Sequence, residues 1–220
     1  MKQAIAAEAA AQKIWPGARL MVGGFMGVGT PHRLIDAIVA LGIGNLTLIS
    51  NDTARPGEGV GKLISAGLVS HVITSHIGLN PETQAKMLAG EIKVELVPQG
   101  SLVERIRAAG YGLGGALVKT GLGTLAAEGK QVVSIDGEDW LLERPLRADF
   151  ALIHAHMADY LGNLSYQLTA INFNPVMAMA AKHVICEANE IVPIGMITPN
   201  DVTTPAVLVD DLIQNPHHRH

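Results

Sequence analysis

The feature that most constrains this sequence is an alternation. Short runs of aliphatic and β-branched residues recur, and each is followed by a segment with helical periodicity and its own start signal. Residues 19–22, 46–49, 69–74 and 94–97 are the apolar runs of the first half. The intervening stretches carry the helix signals. Thr30 stands as N-cap before Pro31 and a periodic segment over 32–41, and a short helix covers 61–66. Asn80-Pro81-Glu82 opens a helix reaching Leu88, and Ser101 caps another running through Ala109. Strands alternating with helices at this spacing predict βαβ units and a mostly parallel α/β sheet flanked by helices.

The second half adds a β-hairpin to that pattern. Residues 131–135 and 139–142 flank Asp136-Gly137, a pair that favours a type I′ turn. Residues 149–156 read as a buried strand, Asn174-Pro175 as a helix start and 183–186 as another strand. No repeat, linker or change in composition divides the chain, so a single domain over 1–220 is expected, with a frayed tail over 215–220. The first fifteen residues read as an amphipathic helix interrupted by Glu8 and Gln12, not as a signal peptide.

Composition excludes several function classes. With 48% hydrophobic and 16% charged residues, the chain has the material of a packed core. A formal charge of -4 leaves no basic footprint for nucleic acid or for an anionic membrane surface. No run approaches the roughly 20 apolar residues that cross a bilayer. The single cysteine, Cys186, forbids an internal disulfide and fits a reducing, cytoplasmic setting. It lies in an apolar strand and reads as core.

The most informative local motif is Gly23-Gly24-Phe25-Met26-Gly27-Val28-Gly29-Thr30-Pro31, between the first strand and the next helix. An open α/β sheet binds ligands at this place, through backbone N–H groups at the strand's carboxyl end. The motif is not a phosphate-binding P-loop, because no Gly-Lys-Ser/Thr follows. Nor is it a dinucleotide fingerprint, because the spacing differs and the second strand runs into Ser50-Asn51 without an acidic ribose ligand there.

An apolar triplet (Leu20-Met21-Val22), then Gly-Gly-Phe, three residues, Gly, one residue and Pro, resembles the signature of the α subunits of family I CoA-transferases. Pro16-Gly17 departs from the family pattern at its first residue, and Lys119 stands where a proline is usual before Thr120-Gly121. The likeness continues along the chain through Asn51-Asp52-Thr53, Ser75-His76-Ile77-Gly78, Pro98-Gln99-Gly100-Ser101-Leu102 and Leu142-Glu143-Arg144-Pro145. It is greatest to the acetate (acetoacetyl or butyryl) branch of the family.

The resemblance implies a fold of the CoA-transferase and ribose-phosphate-isomerase group. It also implies ping-pong transfer of CoA between a short-chain or 3-oxo acyl-CoA and a small carboxylate. Coenzyme A is then a substrate, and no other cofactor or metal is expected. The nucleophile of such enzymes is a glutamate in a Ser-Glu-Asn-Gly motif of the β subunit, which forms a glutamyl-CoA thioester. That motif is missing from this sequence, and Glu187-Ala188-Asn189-Glu190 lacks both its Ser and its Gly. The chain is therefore expected to be inactive without a β partner, in an α2β2 or larger heteromer.

By the same resemblance Gly24, Phe25, Met26, Gly27, Val28, Gly29 and Thr30 line the CoA or acyl site. Asn51 and Gln99, with Gly100 beside them, direct amides at the reacting carbonyl. Other residues carry competing readings. His76 is either a site residue or a turn residue. Arg105 and Arg107 either meet CoA phosphates or form a solvated face with Glu104, and Arg144 and Arg147, which flank Pro145, either touch substrate or serve the subunit interface. His154, His156 and Asp159 share too few firm spacings for a metal site. Two further functions stay open on the residues alone. One is a sugar-phosphate isomerase of the same fold, disfavoured because residues 23–31 hold no basic side chain. The other is a non-catalytic acyl-CoA-binding protein.

Overall fold

In the computed structural model, residues 1–214 are described, and the tail expected to fray lies outside them. β1 (Arg19–Val22), β2 (Leu46–Asp52), β3 (Val69–His76) and β4 (Lys93–Leu96) lie side by side in chain order, all parallel. The chain then returns to the other edge of β1. There β8 (Ala148–Asp159), β10 (Ala181–Val192) and β11 (Asp211–Gln214) extend the sheet, again parallel, and β9 (Leu164–Ser165) pairs antiparallel with β8. β5 (Ala116–Val118), β6 (Val132–Ile135) and β7 (Glu138–Glu143) form a separate antiparallel sheet in the order β5-β7-β6. The expected α/β architecture with an added hairpin is therefore present. Asp136 and Gly137 both have positive φ, 52° and 79°, as a type I′ turn requires.

Successive residues of a strand face opposite sides, so each central strand feeds two cores. Leu20, Val22, Leu48 and Leu152 point to one side. They pack under α1 (Ala7–Ala11), α2 (His32–Leu41) and α3 (Gly61–Ser65) through Ala10, Leu34, Ile35, Ile38 and Leu63. Met21, Ile49, Ile73 and Ile153 point to the other. They meet Leu102 and Ile106 of α5 (Gln99–Gly110) and Met177 of α6 (Asn174–Ala178). Burial on both faces explains why these strands read as continuous apolar runs. Among the described residues, no helix is long and apolar enough to cross a membrane.

Several expectations are corrected. β8 and β10 extend well beyond 149–156 and 183–186, because they pair with one another from Ala148 and Ala181 to Asp159 and Val192. Long-range pairing carries polar residues such as Lys182 and Glu190 into a strand that local pattern would end. β5, β9 and β11 owe their extended form to a neighbouring strand in the same way. Thr30 does not cap α2: Pro31 takes the cap position without a side-chain bond, and Thr30 is buried. Ser101 caps nothing either. α5 begins two residues earlier, at Gln99, and the Ser101 hydroxyl is buried with no hydrogen-bond partner among the described residues. Asn80 does cap α4 (Pro81–Leu88), accepting from the Thr83 amide at 3.1 Å.

Asp159 ends β8 as a turn anchor. One carboxylate oxygen accepts from the amides of Leu161, Gly162 and Asn163, each at 2.9 Å, and the other accepts from the Asn163 side chain at 2.8 Å. Burial pushes this carboxyl up, but the side-chain and backbone donors outweigh it and hold it below its usual range. The folded state therefore favours the carboxylate. Its contribution is present above the ordinary value of 3.8 and is lost as pH falls through the lower folded value. Asp159→Ala is expected to cost about 1–3 kcal/mol at pH 7. Denaturant unfolding of the two proteins at pH 7 and in stepwise acid should show that gap closing below about pH 4.

Candidate active site

Strand order reverses between β1 and β8, so the loops leaving β1 to β4 open on one side of a crevice at the strand C-termini. A cavity of about 290 Å³ lies there, lined by Phe25, Met26, Asn51, Asp52, Ser75, His76, Leu79 and Gln99. The loop after β1 contributes its first wall. Gly24 has φ 126°, and a Cβ there would collide with the Thr30 hydroxyl, so this position needs glycine on both conformational and steric grounds. Met26 sits at φ 50°, a left-handed conformation unusual for a side chain of this kind.

The loop is held by side chains from elsewhere in the chain. Asp52, at the end of β2, accepts from the Met26 amide at 2.9 Å, from Asn51 Nδ2 at 3.0 Å and from the Ala54 amide at 2.7 Å. Asn172 accepts from the Gly24 amide at 3.0 Å and donates to the Val28 carbonyl at 3.1 Å. Asn174 donates to the Gly29 carbonyl at 2.9 Å. Phe25 and Val28 close on each other through paired backbone bonds. The amides of Gly24, Phe25, Met26 and Val28 are thus engaged, while those of Gly27 and Gly29 meet no acceptor among the described residues.

Asn51 and Gln99 meet across the cavity. Asn51 is buried, one of its amide hydrogens goes to Asp52, and its Oδ1 accepts from Gln99 Nε2 at 2.5 Å. Gln99, exposed on the first turn of α5, keeps its second Nε2 hydrogen and its carbonyl for the cavity. Ser75 fastens the floor by donating to the Asn51 carbonyl at 2.6 Å. The result is a fixed row of neutral donors beside apolar walls from Phe25, Met26 and Leu79.

Of the residues singled out from sequence, Phe25, Met26, Asn51 and Gln99 come together on this cavity, and His76 joins them. Gly24, Gly27, Val28, Gly29 and Thr30 shape the loop behind it, and Gly100 lies outside the lining. Sequence reasoning assigned no role to Asp52, Ser75 or Leu79. The available signal was an aspartate two residues before Ala54, an Asx turn whose carboxylate is anchored locally. The cationic candidates lie elsewhere. Arg105 pairs with Glu95 at 2.6 Å and donates to the Arg144 carbonyl, tying α5 to β4 and to the end of β7. Arg107 pairs with Glu104 at 3.2 Å on an exposed face, and Arg144 is itself exposed. His154 bonds Asn189 at 2.9 Å, and Cys186 is fully buried with its thiol pushed up by burial.

Residues 3–215 match the sequence profile of the family described as Coenzyme A transferase. The chain belongs to the coenzyme A transferase family. It is 55% identical over 197 residues to the acetate CoA-transferase subunit alpha of Escherichia coli K12, covering 90% of each chain. It is 52% identical over 200 residues to the acetoacetyl-CoA:acetate/butyrate CoA transferase alpha subunit of Clostridium acetobutylicum, covering 91% of this chain and 92% of that one. An acyl-CoA transferase from Escherichia coli O157:H7, solved as a thioester complex with CoA, shares the fold at TM-score 0.88 and 23% identity. The match covers 98% of this chain but only 47% of that one, so the chain spans about half the length of that solved transferase.

As a CoA-transferase subunit of the α type, the chain presents amide donors and an aspartate that is already engaged, with no glutamate on the cavity. Glu187, of the nearest lookalike to the nucleophile motif, is buried in β10. Asp52 is the hub of the cavity's order. Asp52→Ala strands three donors and is expected to cost about 1–3 kcal/mol of stability. It should also release the Met26 amide, read as markedly faster hydrogen exchange at Met26 than in the parent, while exchange in β8 stays slow.

Proposed function

We propose that this chain is the α half of a heteromeric CoA-transferase that moves CoA between a short-chain or 3-oxo acyl-CoA and a small carboxylate such as acetate. The observation that carries the reading is the cavity at the strand C-termini. It combines a pre-positioned Gln99 donor with short apolar walls, and no glutamate lines it. A partner β chain with a Ser-Glu-Asn-Gly motif supplies the nucleophile, and the pair works in the cytoplasm as α2β2 or larger. The substrate is CoA itself, with no resident cofactor.

In the first half-reaction the partner's glutamate carboxylate adds to the thioester carbonyl, and the adduct breaks its C–S bond, releasing CoA as thiolate and leaving a mixed anhydride. The thiolate then attacks the glutamyl carbonyl of that anhydride, which releases the first carboxylate and leaves a glutamyl-CoA thioester. An incoming carboxylate runs the two steps in reverse and departs as acyl-CoA. Each step places negative charge on a carbonyl oxygen. A donor fixed in advance, and unable to change protonation state, stabilises that charge without reorganising. Gln99 Nε2, held by Asn51, is such a donor. Phe25, Met26 and Leu79 would shield the reactive anhydride and thioester from water.

The test is CoA transfer from acetoacetyl-CoA to acetate, with this chain alone and then with a β chain carrying Ser-Glu-Asn-Gly. Activity in the mixture only is expected, and activity of this chain alone would overturn the assignment of the nucleophile. In the active mixture, Gln99→Ala is expected to lower kcat by about 10²–10³, the usual effect of removing one oxyanion donor. An unchanged kcat would remove Gln99 from that role.

A further inference from the structure

β10 lies between β8 and β11 and is apolar where it crosses the core, with Val184, Ile185, Cys186 and Ala188 all buried. Glu187 interrupts that run, and it is 1% exposed. A carboxylate in such a place is costly unless donors satisfy it. Its donors are specific. Glu187 Oε2 accepts from the amides of Arg33 at 3.0 Å and Leu34 at 3.1 Å. These are the second and third residues of α2, the amides that a local N-cap side chain ordinarily takes. Pro31, in the cap position, offers none. A side chain more than 150 residues away in the chain therefore does the work of a missing cap, at the point where the glycine loop runs into α2.

We propose that Glu187 is a positioning residue for CoA transfer, acting by fixing the exit of the 23–30 loop rather than by touching substrate. Asn172 holds the loop's entry and Asp52 its middle, and both act on the loop directly. Glu187 holds the far end through α2. Because α2 starts three residues after Gly29, a helix start that drifts carries with it the unengaged amides of Gly27 and Gly29 and the wall formed by Met26. A misplacement near 1 Å suffices to cost about a hundredfold in rate. The charge also complements the positive end of the helix, an interaction that Gln retains only in part and Leu not at all.

This inference rests on the proposed function, and the experiment separates the two. CoA transfer is measured for the αβ complex of the parent and of Glu187→Gln and Glu187→Leu, at a temperature where thermal melting shows each complex folded. Glu187→Leu is expected to lose at least about tenfold in kcat/KM for acyl-CoA and to melt somewhat earlier than the parent, because the Arg33 and Leu34 amides lose their acceptor. Glu187→Gln, which keeps an acceptor oxygen, should stay within about threefold. A Leu variant within twofold of an active parent would overturn the inference alone, whereas an inactive parent complex would overturn the proposed function. If the Leu complex does not assemble, Glu187→Ala combined with Pro31→Asp carries the test by restoring a cap from within the helix. Recovery of kcat/KM supports positioning through the cap, and failure to assemble or to recover it overturns that role.

Discussion

The structure depends on the burial of β1 on all sides. Its edges are hydrogen-bonded to β2 and β8, its residues face two cores in alternation, and Leu20, Met21 and Val22 are all shielded from water. The strand leaves no freedom in register, because a slip of one residue would exchange the two faces. The loop that follows it therefore emerges at one defined place, where the order of strands reverses and neighbouring loops part. The cavity at the strand C-termini is arranged around that exit.

The exit is controlled by polar side chains, and most of them come from distant parts of the chain. Asp52 reaches the loop from the next strand, Asn172 and Asn174 from the approach to α6, and Glu187 from β10. Each reaches the loop or the start of α2 through hydrogen bonds to backbone groups, so the loop's shape is set by its backbone. A glycine-rich segment would otherwise be the least ordered part of the chain. Holding it from four points converts a flexible segment into a fixed wall of the cavity. The same economy appears at Gln99. Its partner Asn51 is oriented by Asp52, so a single carboxylate orders both the loop and the donor pair.

What sequence conveyed was strongest where the signal is local. Asp136-Gly137 announced its turn because only certain residues accept two consecutive positive φ values, and Asn80-Pro81 announced α4 because cap chemistry lies within three residues. The caps that failed did so for a physical reason. Thr30 is drawn into the space beside Gly24 and Ser101 into the core below α5, so tertiary packing overrode an otherwise sound local preference. Asn51 and Gln99 were legible as strand-end amides. Their hydrogen bond was not, since 48 residues separate them and the strands between them decide their distance.

By itself the sequence determined the α/β alternation, the hairpin, the family to which the glycine motif belongs, and the want of a nucleophilic Ser-Glu-Asn-Gly. These follow from periodicity, turn chemistry and residue identity, which act over a few neighbours. Only the tertiary structure decided that Asp52 is the hub of the cavity, that Arg105 ties α5 to β4 and to the end of β7, and that Glu187 caps a helix from the opposite half of the chain. Burial made these choices. A polar group removed from water must find a partner wherever the fold brings one within reach, and that partner is set by packing in three dimensions rather than by distance along the chain.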